Sequence, residues 1–473
     1  MKNLFLDTRP LDKRASTEFK LSSEILMENA ARGMLEFLLP KLNSKSRILL
    51  VCGSGDNGAD CLALARMLYG TCPLSVLLPL GAKSPLCTTQ LERLKALASS
   101  DYPAQLNFLN QLEGEFDIIL DGLFGAGFKG ALNAELCALL ESLNQTEALK
   151  IACDIPSGIQ NNGTIPNLAF KADFTLTMGA LKFALYLDHT KDFVGEVHLL
   201  HLGIQEHIFT LESPIKLLES SDFKPPLREK QNTNKGDFGH LCVLLGEKQG
   251  AGILCALSAF RSGCGLVSAL GKTQSNLPFE LMHTEKIPHN TTAIALGMGL
   301  GRDFKLENHL LQLQNTPLVL DADIFYNPSF KDLLQRHSNC ILTPHPKEFT
   351  QILNALNLCK ISPQDLQKDR IPFALEFSRA YPNAILVLKG ANTIIAHKAS
   401  IYINPFGDNA LAKGGSGDVL AGMISGLLAQ GYSPLDSAIN GVLMHSFCVK
   451  AFLKTSNNFS LTPLDLIEQI RYI

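Results

Sequence analysis

The chain has 473 residues, 46% hydrophobic and 18% charged, with a formal net charge of -3. That length exceeds the ~250–300 residues at which one core usually gives way to several, so two domains are expected. The charge balance leaves no electrostatic basis for nucleic acid or an anionic membrane as a partner, and the 12 singly scattered cysteines exclude a disulfide scaffold or a Cys-x-x-Cys zinc site.

Charges at Lys2 and Asp7 come too early for a signal peptide. No apolar run reaches the ~18 residues that suggest a membrane span. A soluble, cytoplasmic protein with reduced thiols is expected.

The first half repeats one pattern. Apolar runs at Ile48–Cys52, 116–120 and 148–153 end on Gly53, Asp121 and Asp154, with helix-like segments between them. Further strands are predicted at 175–178 and 197–202. Continuous apolar strands spaced by helices indicate a parallel sheet covered on both faces, which binds ligands at its carboxyl edge.

Three glycine-rich segments fall at that edge. Gly53-Ser54-Gly55-Asp56-Asn57-Gly58-Ala59-Asp60 leaves a strand and opens the helical run 61–66. This suits either a dinucleotide phosphate turn or an ordinary strand-to-helix turn. Asp121-Gly122-Leu123-Phe124-Gly125-Ala126-Gly127 and Asp154-Ile155-Pro156-Ser157-Gly158 follow the next two strands. Asn57, Asp121 and Ser157 are hard oxygen donors. Brought together they can coordinate a monovalent or divalent cation, although a lone loop aspartate commonly serves only its turn.

The strand rhythm stops between Gln205 and Lys235, where Pro214, Pro225 and Pro226 occur, and a linker is predicted there. The alternation then restarts with strands at 241–245, Ala293–Leu296, Leu318–Leu320, Cys340–Leu342 and Ala384–Leu388. A hairpin is predicted from 393–396 and 401–403. Gly271-Lys272-Thr273 resembles the end of a P-loop, but Leu266 stands where the first glycine belongs and 267–270 reads as strand.

Lys413-Gly414-Gly415-Ser416-Gly417-Asp418 precedes an apolar helical run. Glycines before a helix let backbone N–H groups approach an anion, and the helix start adds positive partial charge. An aspartate there is either a cap or a base that takes a proton from a hydroxyl. Lys389-Gly390-Ala391-Asn392-Thr393 and Thr343-Pro344-His345-Pro346 end two other strands at the same predicted edge.

Together with Asn234-Lys235-Gly236-Asp237-Phe238-Gly239-His240, Gly297-Met298-Gly299-Leu300-Gly301 and Leu320-Asp321-Ala322-Asp323, these motifs resemble the ribokinase-like ADP/ATP-dependent NAD(P)H-hydrate dehydratases. They occur in that family's order over nearly all of residues 225–473. The resemblance implies that a hydrated nicotinamide ring is phosphorylated by ADP (or ATP), with magnesium, and then loses phosphate. It implies Asp418 as the catalytic residue, with His345, Gly252 and Gly299 contacting the hydrated dinucleotide. Lys389, Gly390, Ala391, Asn392, Thr393 and Gly417 would hold the adenine nucleotide.

The three N-terminal segments resemble the NAD(P)H-hydrate epimerases over roughly residues 1–205. This implies potassium at Asn57, Asp121 and Ser157. It implies dinucleotide contacts from Asp56, Asn57, Gly58, Ala59, Asp60, Gly125, Ala126, Gly127, Phe128, Lys129, Gly130, Ala131 and Asp154, with Asp154 as the acid or base. The family usually has Asn-Gly-Gly-Asp-Gly, whereas this chain reads Asn57-Gly58-Ala59-Asp60-Cys61. The added Cβ and thiol are expected to narrow the dinucleotide's approach.

The expected architecture is α/β throughout. A Rossmann-like three-layer domain at 1–210 carries the epimerase, and a ribokinase-like domain at 220–473 carries the dehydratase. NADHX and NADPHX would be the substrates, and a homo-oligomer of four or more chains is implied. The alternative is a vitamin-precursor kinase of the ribokinase-like group, with a nucleotide-sensing or scaffolding N-terminal domain.

Overall fold

A computed structural model describes residues 1–99, 104–271, 277–313 and 316–473. The chain divides into two compact units, Asn3–Ser213 and Pro214–Ile473, the latter joined by Met1–Lys2.

In the first unit the strands run, edge to edge, Leu106–Leu109, Leu74–Leu77, Ile48–Cys52, Ile118–Gly122, Leu149–Cys153, Phe174–Met178 and Glu196–Leu200. Every pairing among them is parallel. Side-chain alternation assigns the central strand's residues to two cores. Ile48, Leu50 and Cys52 pack with the helices Ser23–Leu38 and Asp56–Leu68, while Leu49 and Val51 pack with Ala134–Gln145. Three helices in this unit start on side-chain caps: Ser22, Ser84 and Asn133 accept the N–H groups of Ile25, Cys87 and Leu136.

The strand Ile118–Gly122 begins two residues later than the predicted 116–120, because Asp121 and Gly122 pair with Val51 and Cys52 inside the sheet. The predicted 197–202 strand instead spans Glu196–Leu200. Leu74–Leu77 and Leu106–Leu109 were not predicted, being only 4 residues each, the latter partly exposed.

The second unit's sheet runs Lys2–Asn3, Ile215–Leu217, Ser400–Asn404, Thr393–His397, Ala384–Leu388, Cys340–Leu342, Leu318–Leu320, Ala293–Leu296, His240–Leu244, Leu266–Leu270 and Met282–Thr284. Its centre is parallel. The predicted hairpin is present and antiparallel, turning through Lys398 and Ala399 at φ 48 and 61. The helices Gln249–Arg261, Ser416–Ala429 and Pro434–Phe452 close its main core.

The predicted linker needs correction. Within 205–235 the chain forms the helix Glu206–Phe209 and the strand Ile215–Leu217, which pairs in parallel with Ile401–Ile403. Three residues after a proline are too few to show a strand's period. Leu266–Leu270 is a strand, as its apolar run predicts, whereas Lys272 and Thr273 lie outside the described residues. All 12 cysteines are free thiols. Among the described residues, no helix is long and apolar enough to cross a membrane.

Candidate active sites

The carboxyl ends of the first unit's central strands meet the starts of four helices around a cleft of about 840 Å³. Its lining includes Asp56, Asn57, Asp60, Gly125, Ala126, Gly127, Phe128, Lys129, Ala131 and Asp154, so most of the predicted dinucleotide residues converge. Asp154 follows the strand Leu149–Cys153 with φ 71, a left-handed conformation that non-glycine residues adopt at a cost. Its carboxylate Oδ1 lies 2.6 Å from Lys182 Nζ and accepts the Met178 N–H at 3.1 Å.

Lys182 is 2% exposed, and a buried ammonium needs partners. Besides Asp154 it donates to Thr177 Oγ1 and to the Met178 carbonyl, both at 3.1 Å. Sequence reading missed this lysine. The available signal was a lone cation in the apolar stretch just beyond the strand Phe174–Met178.

Asp121 and Ser157 are in direct contact. Ser157 Oγ donates to Asp121 Oδ1 at 2.6 Å, and its N–H donates to Oδ2 at 2.7 Å. Burial pushes the Asp121 carboxyl up to about 7, against the opposing hydrogen bonds from Ser157 and Leu123. The Asn57 amide nitrogen is buried without a hydrogen-bond partner, and a Cβ on Gly125 would touch the Asn57 amide oxygen. One buried carboxyl among neutral oxygens suits a weakly charged cation. Among the described residues, no group of three or more His, Cys, Asp or Glu side chains could hold a metal ion.

Three of the predicted dinucleotide residues lie off the lining of this cleft. Gly58 and Ala59 do not line it: both are buried in the first turn of Asp56–Leu68, and Gly58 packs against the Gly53 backbone. Gly130 also lies off the lining, its carbonyl accepting Gln160 Nε2 at 2.9 Å. The substitutions at 59 and 61 therefore do not narrow the approach. Cys61 points beneath the helix toward Gly122, among the buried Cys52 and Cys153.

In the second unit Gly415 has φ 92 and starts the helix Ser416–Ala429. This left-handed position needs glycine, and it turns the loop so that Asp418 falls in the first helical turn. Burial, then Asp321, raises the Asp418 carboxyl to about 6, with Lys389 opposing. Lys389 Nζ lies 2.9 Å from Asp321 Oδ1 and borders Gly417. Burial lowers the lysine's proton affinity, but Asp321 and Glu348 more than compensate and it stays charged. The predicted nucleotide lysine and the Asp418 loop are thus neighbours.

Other contacts fasten this edge. The Lys389 N–H donates to the Pro344 carbonyl at 2.9 Å, linking the Lys389 turn to the His345 segment. The buried Arg370, which sequence reading missed, donates to the carbonyls of Lys389 at 3.0 Å and Asn392 at 2.8 Å. It holds the turn 389–392, with Thr393 opening the next strand. His345 caps Pro346–Ala355: its Nδ1 accepts the Glu348 N–H at 3.3 Å. The neutral ring's proton therefore sits on Nε2, 3.2 Å from Glu348 Oε1. Burial, then Lys389, lowers the imidazole's proton affinity, while burial raises Glu348 to about 7.

Gly252 packs on the Leu245 side chain, and Gly299 accepts the Lys248 N–H at 2.9 Å. A cleft of about 710 Å³ in this unit, lined by residues such as Leu245, Lys286 and His289, contains none of the predicted residues. Asp418, Lys389 and Asp321 converge outside it.

Gly297 supplies a test of that edge. It has φ 117, and a Cβ there would overlap the Asp321 carbonyl oxygen. Gly297→Ala is expected to lower unfolding stability by ~2–4 kcal/mol through strain and overlap. Denaturant unfolding checks this, and an unchanged midpoint would contradict the packing.

Comparison with known proteins gives two family matches. A family described as NAD(P)H-hydrate dehydratase matches residues 241–471, and one described as YjeF-related protein N-terminus matches residues 23–184. The chain is 45% identical to the bifunctional NAD(P)H-hydrate repair enzyme Nnr of Helicobacter pylori, covering 100% of both chains. It is 30% identical to the enzyme of the same name from Coxiella burnetii, over 98% of this chain and 97% of that one. A solved structure of the ADP/ATP-dependent NAD(P)H-hydrate dehydratase from Bacillus subtilis, co-crystallised with ATP/Mg2+, is 28% identical. That likeness covers 54% of this chain and 94% of the other, with a TM-score of 0.45.

Proposed function

Because the chain belongs to the bifunctional NAD(P)H-hydrate repair enzymes, we propose that its Asp154 cleft interconverts the R and S hydrates of NADH and NADPH while its Asp418 site dehydrates the S form. Epimerisation is assigned to residues 1–210 and ADP-dependent dehydration to 220–473. The observation that carries the second assignment is the convergence of Asp418, Lys389 and Asp321 at one helix start.

Dehydration proceeds in two steps. Asp418 accepts the proton of the ring hydroxyl as its oxygen bonds to the terminal phosphorus of ADP, and the bond to AMP breaks. The phosphate then departs with the ring C–O electron pair, and a proton lost from the neighbouring carbon restores the double bond. The products are NAD(P)H, AMP and phosphate. N–H groups of the 414–417 loop and the Lys389 ammonium are suited to the charge on the transferring group. Magnesium, held with the nucleotide phosphates, would neutralise part of that charge.

In the first unit, Asp154 is the acid or base at the hydrated carbon, held in place by its 2.6 Å contact with Lys182. A potassium ion held by the oxygens of Asn57, Asp121 and Ser157 would meet one buried carboxyl and two neutral donors, and it would fix the loop at 121–125. The free thiols accord with action in the reducing cytoplasm, and a homo-oligomer of at least four chains is proposed from the family. A vitamin-precursor kinase is not favoured, since the match to repair enzymes covers both halves.

The direct test is incubation of mixed NADH hydrate epimers with ADP or ATP. Full return of reduced-nicotinamide absorbance with AMP and phosphate from ADP is expected. A stable phosphorylated product, or no return of absorbance, would overturn the reading.

A further inference from the structure

The Asp154 cleft contains another carboxyl that the assignments above leave without a role. Asp12 lies on the helix Arg9–Thr17, which Leu11 and Ala15 anchor in a core with Leu26, Ala30, Leu202 and Phe209. That anchorage leaves Thr8, Arg9 and Asp12 lining the cleft together with Asp154 and Lys182. Asp12 feels both of these groups: Lys182 attracts its anion, and Asp154 repels it.

One ammonium therefore shares the cleft lining with two carboxyls. It is bonded to Asp154 at 2.6 Å, so its charge is largely committed there. Burial, only partly offset by Lys182, raises the Asp12 carboxyl to about 6, with Asp154 and Asp7 adding to the rise. The cleft thus places a second carboxyl, which holds its proton more tightly than an ordinary aspartate, in the same lining as the Asp154–Lys182 pair. An epimerase that works in both directions needs two acid–base groups.

We propose that Asp12 is the second acid–base residue of the epimerase cleft, partnering Asp154 across Lys182. This rests on the epimerase reading of that cleft. In one direction the ring C–O bond breaks with its electron pair going to oxygen. That oxygen takes the Asp12 proton and leaves as water, while the adjacent ring nitrogen's lone pair stabilises the carbon. A water molecule then adds to the other face, its oxygen forming the new C–O bond and its extra proton passing to Asp154. The reverse reaction starts from the protonation state so produced.

Asp60 is the competing candidate. It also lines the cleft, and burial, with Cys61 and Asp154, pushes its carboxyl up. It belongs to the helix Asp56–Leu68 that starts at the dinucleotide turn. A binding role is expected there.

The test uses the full chain, pure R hydrate and water enriched in ¹⁸O, without ADP. The unmodified protein should place one solvent oxygen in each S hydrate formed. Asp12→Asn should slow epimerisation at least ~100-fold, the scale of a lost acid–base group, whereas Asp60→Asn should chiefly raise KM. Formate should restore epimerisation to Asp12→Ala, which a structural defect would not allow, and dehydration of the S hydrate reports folding of the other unit. Normal epimerisation by Asp12→Asn, failed formate rescue, or loss of kcat in Asp60→Asn instead would overturn the role of Asp12. Epimerisation without ¹⁸O uptake would overturn the water-loss step. If the unmodified protein fails to epimerise at all, the cleft's assigned function fails instead.

Discussion

Asp418→Asn is expected to lower the rate of NADH recovery from the S hydrate by ~10²–10⁴-fold while ADP still binds. The substitution keeps the shape of the side chain and removes only its ability to take a proton. The nucleotide's contacts are assigned to the Lys389 turn and the glycine loop, both built on backbone that the change does not touch. Arg370 and the Pro344 carbonyl fasten the turn, and Gly415 shapes the loop.

The fold should tolerate the substitution. Burial raises the folded-state pKa of Asp418 to about 6, so the ionised form is disfavoured by folding. A raised carboxyl contributes stability that is fully present below its unfolded pKa and lost as pH rises through the folded value. At pH 8 the asparagine variant should therefore melt no lower than the parent. The same pKa sets an activity limb: dehydration by the parent should fall tenfold per unit below about pH 6. Single-turnover rates at saturating ADP check the rate loss and the pH limb, and thermal melts at pH 8 check the stability. Undiminished NADH recovery in the variant, or a limb near pH 4, would sink the mechanism.

Asp154→Asn should abolish conversion of the R hydrate while S hydrate is dehydrated at the parental rate. With mixed epimers, NADH recovery should then stop at the fraction initially present as S. Asparagine is preferable to alanine because the Lys182 ammonium is buried. Removing its partner outright strands a charge, at a cost of ~3–5 kcal/mol. Asparagine keeps an acceptor for Lys182 and the Met178 N–H, and it tolerates φ 71 well. Loss of both activities, or of neither, would refute the division of labour.

Both experiments concern residues that local sequence made visible, and the partners of those residues were not visible. Ile48–Cys52 and Ala384–Leu388 could be read as strands because they are apolar at every position and buried on both faces. Met282–Thr284 and Leu106–Leu109 escaped because they end their sheets, where one side meets solvent and the pattern weakens. Ile215–Leu217 was hidden by the prolines around it and by its length. Ala59 and Cys61 misled for another reason: helix phase, which the motif alone does not reveal, turns them under the dinucleotide turn.

By itself the sequence determined the strand–helix alternation, the glycine turns at strand ends and the loop that presents Asp418. Those features follow from short-range physics: side-chain period, backbone freedom and the charge at a helix start. Only the tertiary structure decided that Lys182 serves Asp154, that Lys389 meets Asp321 across 68 residues of chain, and that Asp12 shares the epimerase cleft. Such meetings depend on the order in which parallel strands lie side by side. Crossover connections set that order, and no local pattern of residues records it.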